Sequence, residues 1–187
     1  MTVTTDLPAI CELARYSQWV CWRKEQRDGK PTKVPYNART GELASSTRPD
    51  TWSTFEQATA AAPRYDGIGF VLTAEDPYTG VDLDHCIENG VVARWAITII
   101  STLNSYCEVT PSGAGLRLFV RGKLPPGGRK RGNVEMYETG RYLTVTGAHW
   151  PGTPATIEER EDTLATLHPR IFTEPTTNGG HQLRPCP

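Results

Sequence analysis

Apolar positions along this chain recur with two periods, and Gly, Pro, Asp and Asn mark where one gives way to the other. Leu7 to Tyr16 reads as a short helix with Pro8 tolerated in its first turn. Trp19-Val-Cys-Trp22 is an aromatic, β-prone run and predicts the first core strand. A polar stretch from Arg23 to Lys33 turns at Asp28-Gly29, after which Lys33-Val-Pro-Tyr36 is extended again and Asn37-Ala-Arg-Thr-Gly41 turns once more. Ser53-Thr-Phe-Glu56 has the form of a capping box. It predicts a helix ended by Pro63, with Trp52 as a hydrophobic staple.

Gly67 to Leu72 reads as a strand, with Thr79 to Leu83 as its antiparallel neighbour across a Glu-Asp-Pro turn. Val91, Val92, Trp95, Ile99, Leu103 and Tyr106 fall at helical spacing. Strands are expected at Cys107–Thr110, Leu116–Arg121 and Val134–Tyr137, and at Tyr142–Thr146, paired with the preceding one through Thr139-Gly140. Thr156-x-x-Glu159 is a second capping-box pattern and predicts a last helix. The class is α+β on a mainly antiparallel sheet, as one domain over 1–172 with 173–187 as a linker or disordered tail.

Composition narrows the class only a little. A hydrophobic content of 37% and a charged content of 22% are those of a soluble globular chain. There is no long apolar run and no signal-peptide pattern at the N-terminus, so a cytoplasmic location is expected, with no membrane partner. Five cysteines, an odd number without a Cys-x-x-Cys pair, argue against a disulfide framework or a zinc ribbon. The net charge of −1 is uninformative, but its distribution is not: residues 75–90 carry −5 and residues 117–141 carry +5. An acidic focus beside a basic one suits a metal site that handles a polyanion.

The acidic focus is Gly80-Val-Asp-Leu-Asp84. In a strand, Asp82 and Asp84 share one face while Val81 and Leu83 are buried on the other. Two carboxylates held together favour a hard cation such as Mg²⁺ or Mn²⁺, although a solvated strand end has the same pattern. Thr110-Pro-Ser-Gly-Ala-Gly-Leu-Arg117 places Ser112, Gly113 and Gly115 where backbone N–H groups form an anion nest, with Arg117 on the strand leaving it; a plain hairpin turn reads the same way. Glu135 alternates with Val134 and Met136, either as a third metal carboxylate or as a surface residue. Arg141 beside Tyr142 suits a nucleotide's phosphate and sugar. Lys33, Arg129, Lys130 and Arg131 are either a solvated basic set or a nucleic-acid groove.

These stretches, with Lys33-Val-Pro-Tyr and Val-Glu-Met-Tyr-Glu-Thr-Gly-Arg-Tyr, resemble the primase-polymerase domain of phage and plasmid replication proteins, in the archaeo-eukaryotic primase superfamily. The likeness runs from about Trp19 to Thr146. It implies a palm resembling an RNA-recognition motif joined to an α/β unit, with the active site in the cleft between them. It also implies Asp82, Asp84 and Glu135 as catalytic residues holding two Mg²⁺ or Mn²⁺ ions, and a triphosphate-binding motif at Ser112–Arg117. Arg117 stands where this branch often shows histidine; it too can hold a triphosphate but exchanges no proton.

The expected function is template-dependent nucleotidyl transfer, priming and extending DNA on a single-stranded template with dNTPs or NTPs. In such proteins a C-terminal helical region and a helicase are the usual partners. A metal-dependent nuclease, or a nucleotide- and DNA-binding module without catalysis, are the alternatives.

Overall fold

The computed structural model describes residues 6–173. In chain order the elements are α1 (Pro8–Leu13), β1 (Trp19–Arg27), β2 (Lys30–Tyr36), α2 (Phe55–Ala61), β3 (Gly67–Leu72), β4 (Tyr78–Leu83), β5 (Ile87–Glu88), β6 (Val91–Val92), α3 (Arg94–Leu103), β7 (Cys107–Val109), β8 (Leu116–Arg121), β9 (Lys130–Arg131), β10 (Val134–Tyr137), β11 (Arg141–Val145), β12 (Glu158–Glu159) and α4 (Glu161–Phe172). A first sheet runs β11-β3-β1-β2; a second runs β12-β8-β4-β10-β9, with β7 also paired to β8. Only β12 on β8 is parallel among these pairs. The α+β class with mainly antiparallel sheet therefore holds.

Burial decides which strands are central. All six residues of β3 are buried, as a strand flanked on both sides and covered on both faces must be. β1 is buried only over Trp19–Trp22 and then runs out into an exposed hairpin with β2. Asp28 (φ 52°) and Gly29 (φ 73°) close that hairpin with two positive-φ residues, the geometry that matches strand twist.

Two expected pairings are corrected. β3 and β4 are not neighbours, and β10 does not pair with β11: β4 lies between β8 and β10 in the second sheet, while β11 pairs with β3 in the first. The chain therefore crosses between these two sheets three times, after β3, after β10 and after β11. After β3 the crossing is organised by buried Asp76, whose carboxylate accepts from Thr73 N (2.7 Å), Gln18 Nε2 (2.8 Å) and Tyr78 N (2.9 Å). After β10 it passes through Gly140 (φ 68°). The physical reason is that the strands serve two cores. Leu143 and Val145 of β11 join Trp19, Phe70, Leu72 and Tyr78 beneath α1 and α2, whereas Val134 and Met136 of β10 join Val81, Leu83, Leu116 and Leu118 against α3 and α4.

The helix starts also differ. The capping box of α2 lies one residue later than expected: Thr54 Oγ1 accepts from Gln57 N, and Gln57 Oε1 accepts from Thr54 N. Ser53 is unavailable because its backbone bridges Trp19. Trp52 accordingly packs with Val20 and Val71, not as a staple. Val91 and Val92 form a two-residue hairpin with β5, so α3 begins only at Arg94. The pattern at Thr156 opens no helix, because Glu158 and Glu159 pair with β8 and α4 follows. Apart from Thr173, the expected tail lies outside the described residues.

Cys21, Cys86 and Cys107 are buried and unbridged. Burial pushes the Cys21 thiol up to about 11 and the Cys107 thiol up to about 12. Among the described residues, no helix is long and apolar enough to cross a membrane.

Candidate active site

The register of the second sheet lines up a row of charges across one face. Lys130 lies opposite Glu135, Glu135 opposite Asp82, Asp82 opposite Arg117, and Arg117 opposite Glu108, on β9, β10, β4, β8 and β7 in turn. Directly paired residues in a ladder point to the same face, so five charged side chains form one file. The alternate residues, Val81, Leu83, Leu116, Leu118, Val134 and Met136, are buried on the opposite face against α3 and α4. The alternation seen around Asp82 and Glu135 in the sequence is therefore real and shared by neighbouring strands.

Arg117 is the pivot of this row, only 3% exposed. Its Nη2 donates to Asp82 Oδ2 at 2.6 Å and its Nη1 to Thr144 O at 2.5 Å and to Thr144 Oγ1. Its Nε is buried without a partner, as is Asp82 Oδ1. Desolvation lowers the Arg117 pKa, but Asp82 and Glu108 outweigh it and hold the guanidinium above the usual range. Behind it, Glu108 is fully buried and accepts from Tyr106 Oη (2.9 Å), Thr146 N (3.0 Å) and Gly147 N (3.0 Å). Burial raises the Glu108 pKa, and the Arg117 charge partly counteracts it. Glu108 was missed in the sequence; its one signal was a charge among apolar residues in Cys107-Glu-Val109.

Asp84 follows the end of β4, with its N–H donating to Asn133 O at 2.8 Å. Burial raises its pKa, and the like charges of Asp82 and Glu135 add to the effect. The Thr110–Gly115 loop packs beside it. A Cβ on Gly115 would lie 2.9 Å from Leu83 O and 3.6 Å from Asp84 Cα, so only glycine allows this approach. Gly113 (φ 72°) supplies the turn, and Ser112 Oγ accepts from Ala114 N at 3.3 Å. The two motifs that the sequence separates by some thirty residues are thus adjacent.

A cleft of about 200 Å³ joins the two sheets, lined by Lys33, Asp82, Arg117, Glu135, Tyr137 and Arg141 to Thr144. The sheets touch at its floor, where a Cβ on Gly80 would come within 2.0 Å of Leu143 Cδ1. Tyr142 lies over Gly69, where a Cβ would be 2.7 Å from its ring, and its hydroxyl donates to Lys33 O at 2.6 Å. Arg141 stands 4.7 Å over the Tyr137 ring. The Lys33 ammonium is held below the ordinary lysine range by burial and by Arg117, with Asp82 and Asp84 opposing.

The remaining basic residues are engaged within the fold. Arg129 donates to Pro125 O (3.1 Å) and Glu138 Oε1 (3.2 Å), and Arg131 to Ile171 O (2.6 Å). Lys130 pairs with Glu135 Oε1, while Glu135 Oε2 accepts from Tyr137 Oη at 2.9 Å. These bonds lower the Glu135 pKa against the opposing effect of burial. Ser112 and Gly113 are not among the residues lining the cleft.

The donor set suits a hard divalent cation in part. Asp82 Oδ1 is a buried carboxylate oxygen lacking a partner, and Asp84 and Glu135 crowd it with like charge. Among the described residues, however, no three such side chains converge as a ready-made metal site. Both Glu135 oxygens are already bonded.

Fold and site together define an α+β domain whose carboxylates and fixed cations line a cleft between two sheets. No family model matches the chain. It is 42% identical over 157 residues to a DNA primase-polymerase of Nitratiruptor phage NrS-1. The resemblance read from the motifs, to the primase-polymerase domain of phage replication proteins, is thereby borne out. The match takes in 79% of this chain and 21% of that protein, so the chain spans about a fifth of the relative's length.

Proposed function

We propose that this domain is a template-dependent nucleotidyltransferase, a DNA primase and DNA polymerase acting on single-stranded DNA with dNTPs or NTPs. The second sheet is its palm and the cleft between the sheets its active site. The observation that carries the reading is the cross-strand file Glu135–Asp82–Arg117 opening on the cleft, with Asp82 Oδ1 buried and without a partner.

Asp82, Asp84 and Glu135 would hold two Mg²⁺ or Mn²⁺ ions, Glu135 after release from Lys130. When bound, the ions supply the charge that acidifies a primer 3′-hydroxyl and stabilises departing pyrophosphate. Arg117, pinned by Thr144, keeps Asp82 in one orientation and a fixed positive charge at the floor. Arg141 lines the cleft as a cation for a triphosphate, which a fixed charge holds without reorganisation. Tyr142, held by Lys33 O and by the absent Cβ of Gly69, offers a rigid surface to the sugar. Gly113 and Gly115 shape the loop that packs beside Asp84.

Primer extension on single-stranded DNA with either metal, beside Asp82→Asn protein of verified fold, tests this. Metal-dependent product absent from the variant is expected. Triphosphate binding without product would leave a binding module, and degradation of labelled DNA without nucleotides would make it a nuclease.

A further inference from the structure

The β1–β2 hairpin carries a charge pattern that the cleft does not account for. Lys24 and Lys33 are direct cross-strand partners, and like charges placed directly opposite destabilise a hairpin. Among the described residues neither ammonium has a carboxylate partner. Asp66 accepts from the Lys24 backbone N–H at 2.6 Å, Glu25, on the other face, takes Tyr36 Oη and Arg27, and Asp82 and Asp84 act on Lys33 without forming an ion pair with it. The pair is left to face a groove lined by Trp22, Pro31, Thr32, Pro111 and Ser112 along with the two lysines.

The floor of that groove is set by glycine. A Cβ on Gly67 would lie 2.8 Å from Trp22 Nε1, so the indole settles onto the strand and donates to Ile68 O at 3.2 Å. Lys33 Nζ lies 5.8 Å from the indole centroid. Lys33 also lines the catalytic cleft, so the two depressions meet at that residue. Two unpaired cations over an apolar, aromatic-edged floor match a ligand that alternates phosphates with flat apolar groups.

We propose that this groove carries the single-stranded template into the cleft, with a backbone phosphate between Lys24 and Lys33 and a base against Trp22, Pro31 and Pro111. The proposal rests on the polymerase reading and names the path of its nucleic-acid partner. It moves that path from Arg129 and Arg131, whose guanidinium groups are bonded within the fold, to the groove that Lys24 and Lys33 line.

The test is fluorescence anisotropy of a labelled oligodeoxythymidylate over a salt series, comparing the wild-type chain with Lys24→Glu and Lys30→Glu. Lys30 pairs with Arg27 at the hairpin tip, away from the groove. The expected result is affinity about tenfold weaker for K24E, with the log–log salt slope reduced by about 0.7, the share of one phosphate contact on a single strand. K30E should bind close to wild type, and affinity for a dNTP should be unchanged in both. Equal losses in K24E and K30E, wild-type affinity in K24E, or no binding by the wild type would overturn the proposal. So would a K24E loss confined to the dNTP. Primer extension separates the two readings. Extension with unchanged oligonucleotide affinity in K24E refutes the groove alone, and Lys24-dependent binding without extension refutes the transferase alone.

Discussion

Replacing Arg117 by methionine removes the cation from a row in which Asp82 lies on one side and Glu108 on the other. The guanidinium is 3% exposed and Glu108 is fully buried, so water cannot take its place. Breaking a buried pair by deleting one partner typically costs about 3–5 kcal/mol, because a charge is left uncompensated. In a domain of this size each kcal/mol shifts Tm by about 2–4 °C, so the melting temperature should fall by roughly 6–20 °C at pH 7. The dependence on pH carries a sign. Burial already raises the Glu108 pKa in the presence of Arg117, and without the arginine it must rise further. An acid whose folded pKa is raised carries no penalty below its unfolded value; the penalty grows as pH rises from the unfolded value to the folded one and is constant above it. The gap between wild type and Arg117→Met should therefore narrow as pH is lowered from 7 toward 5. Urea denaturation at several pH values measures it. A loss below about 1 kcal/mol at pH 7, or a gap that does not change with pH, would refute the ion-pair account.

Other expectations follow from the same geometry. Asp84→Asn relieves like-charge crowding at Asp82 and Glu135, so in EDTA its Tm should rise by about 2–4 °C while primer extension is lost, a trade common at functional sites. Gly80→Val drives a Cβ to within 2.0 Å of Leu143 Cδ1 and should cost about 1–3 kcal/mol by overpacking, partly recovered in the double variant with Leu143→Ala; calorimetry of both decides. Cys21, Cys86 and Cys107, buried and with raised pKa values, should resist a thiol reagent at pH 8 until denaturant is added, as followed by mass spectrometry of modified peptides.

What the sequence revealed was whatever depends on local period and turn chemistry. Asp82, Glu135 and Arg117 were legible because each is a charge alternating with apolar residues, and the ladder places all three on one face. The Asp28-Gly29 hairpin was legible for the same local reason. The pairing of β4 and β11 was not. Hairpin reasoning joins strands that follow one another, whereas these strands are sorted by which of two cores their apolar face fits, and that is set by Gly80 meeting Leu143 across the sheets. Glu108 was overlooked because a fully buried carboxylate makes sense only beside Arg117 and the Thr146 and Gly147 amides, residues nine to thirty-nine positions away. The basic run at Arg129–Arg131 read as a surface groove, yet two of its members bond to backbone carbonyls of the fold. Composition carries no information about such partners.

The central claim is that Asp82 belongs to a templated polymerase site. The most direct measurement is single-nucleotide incorporation on four primed templates that differ only in the first unpaired base, with each nucleotide offered in turn. Addition of the complementary nucleotide alone, dependent on Mg²⁺ or Mn²⁺ and lost in Asp82→Asn protein that melts as a folded domain, is the predicted result. Addition that ignores the template base, or that persists in Asp82→Asn, would contradict it.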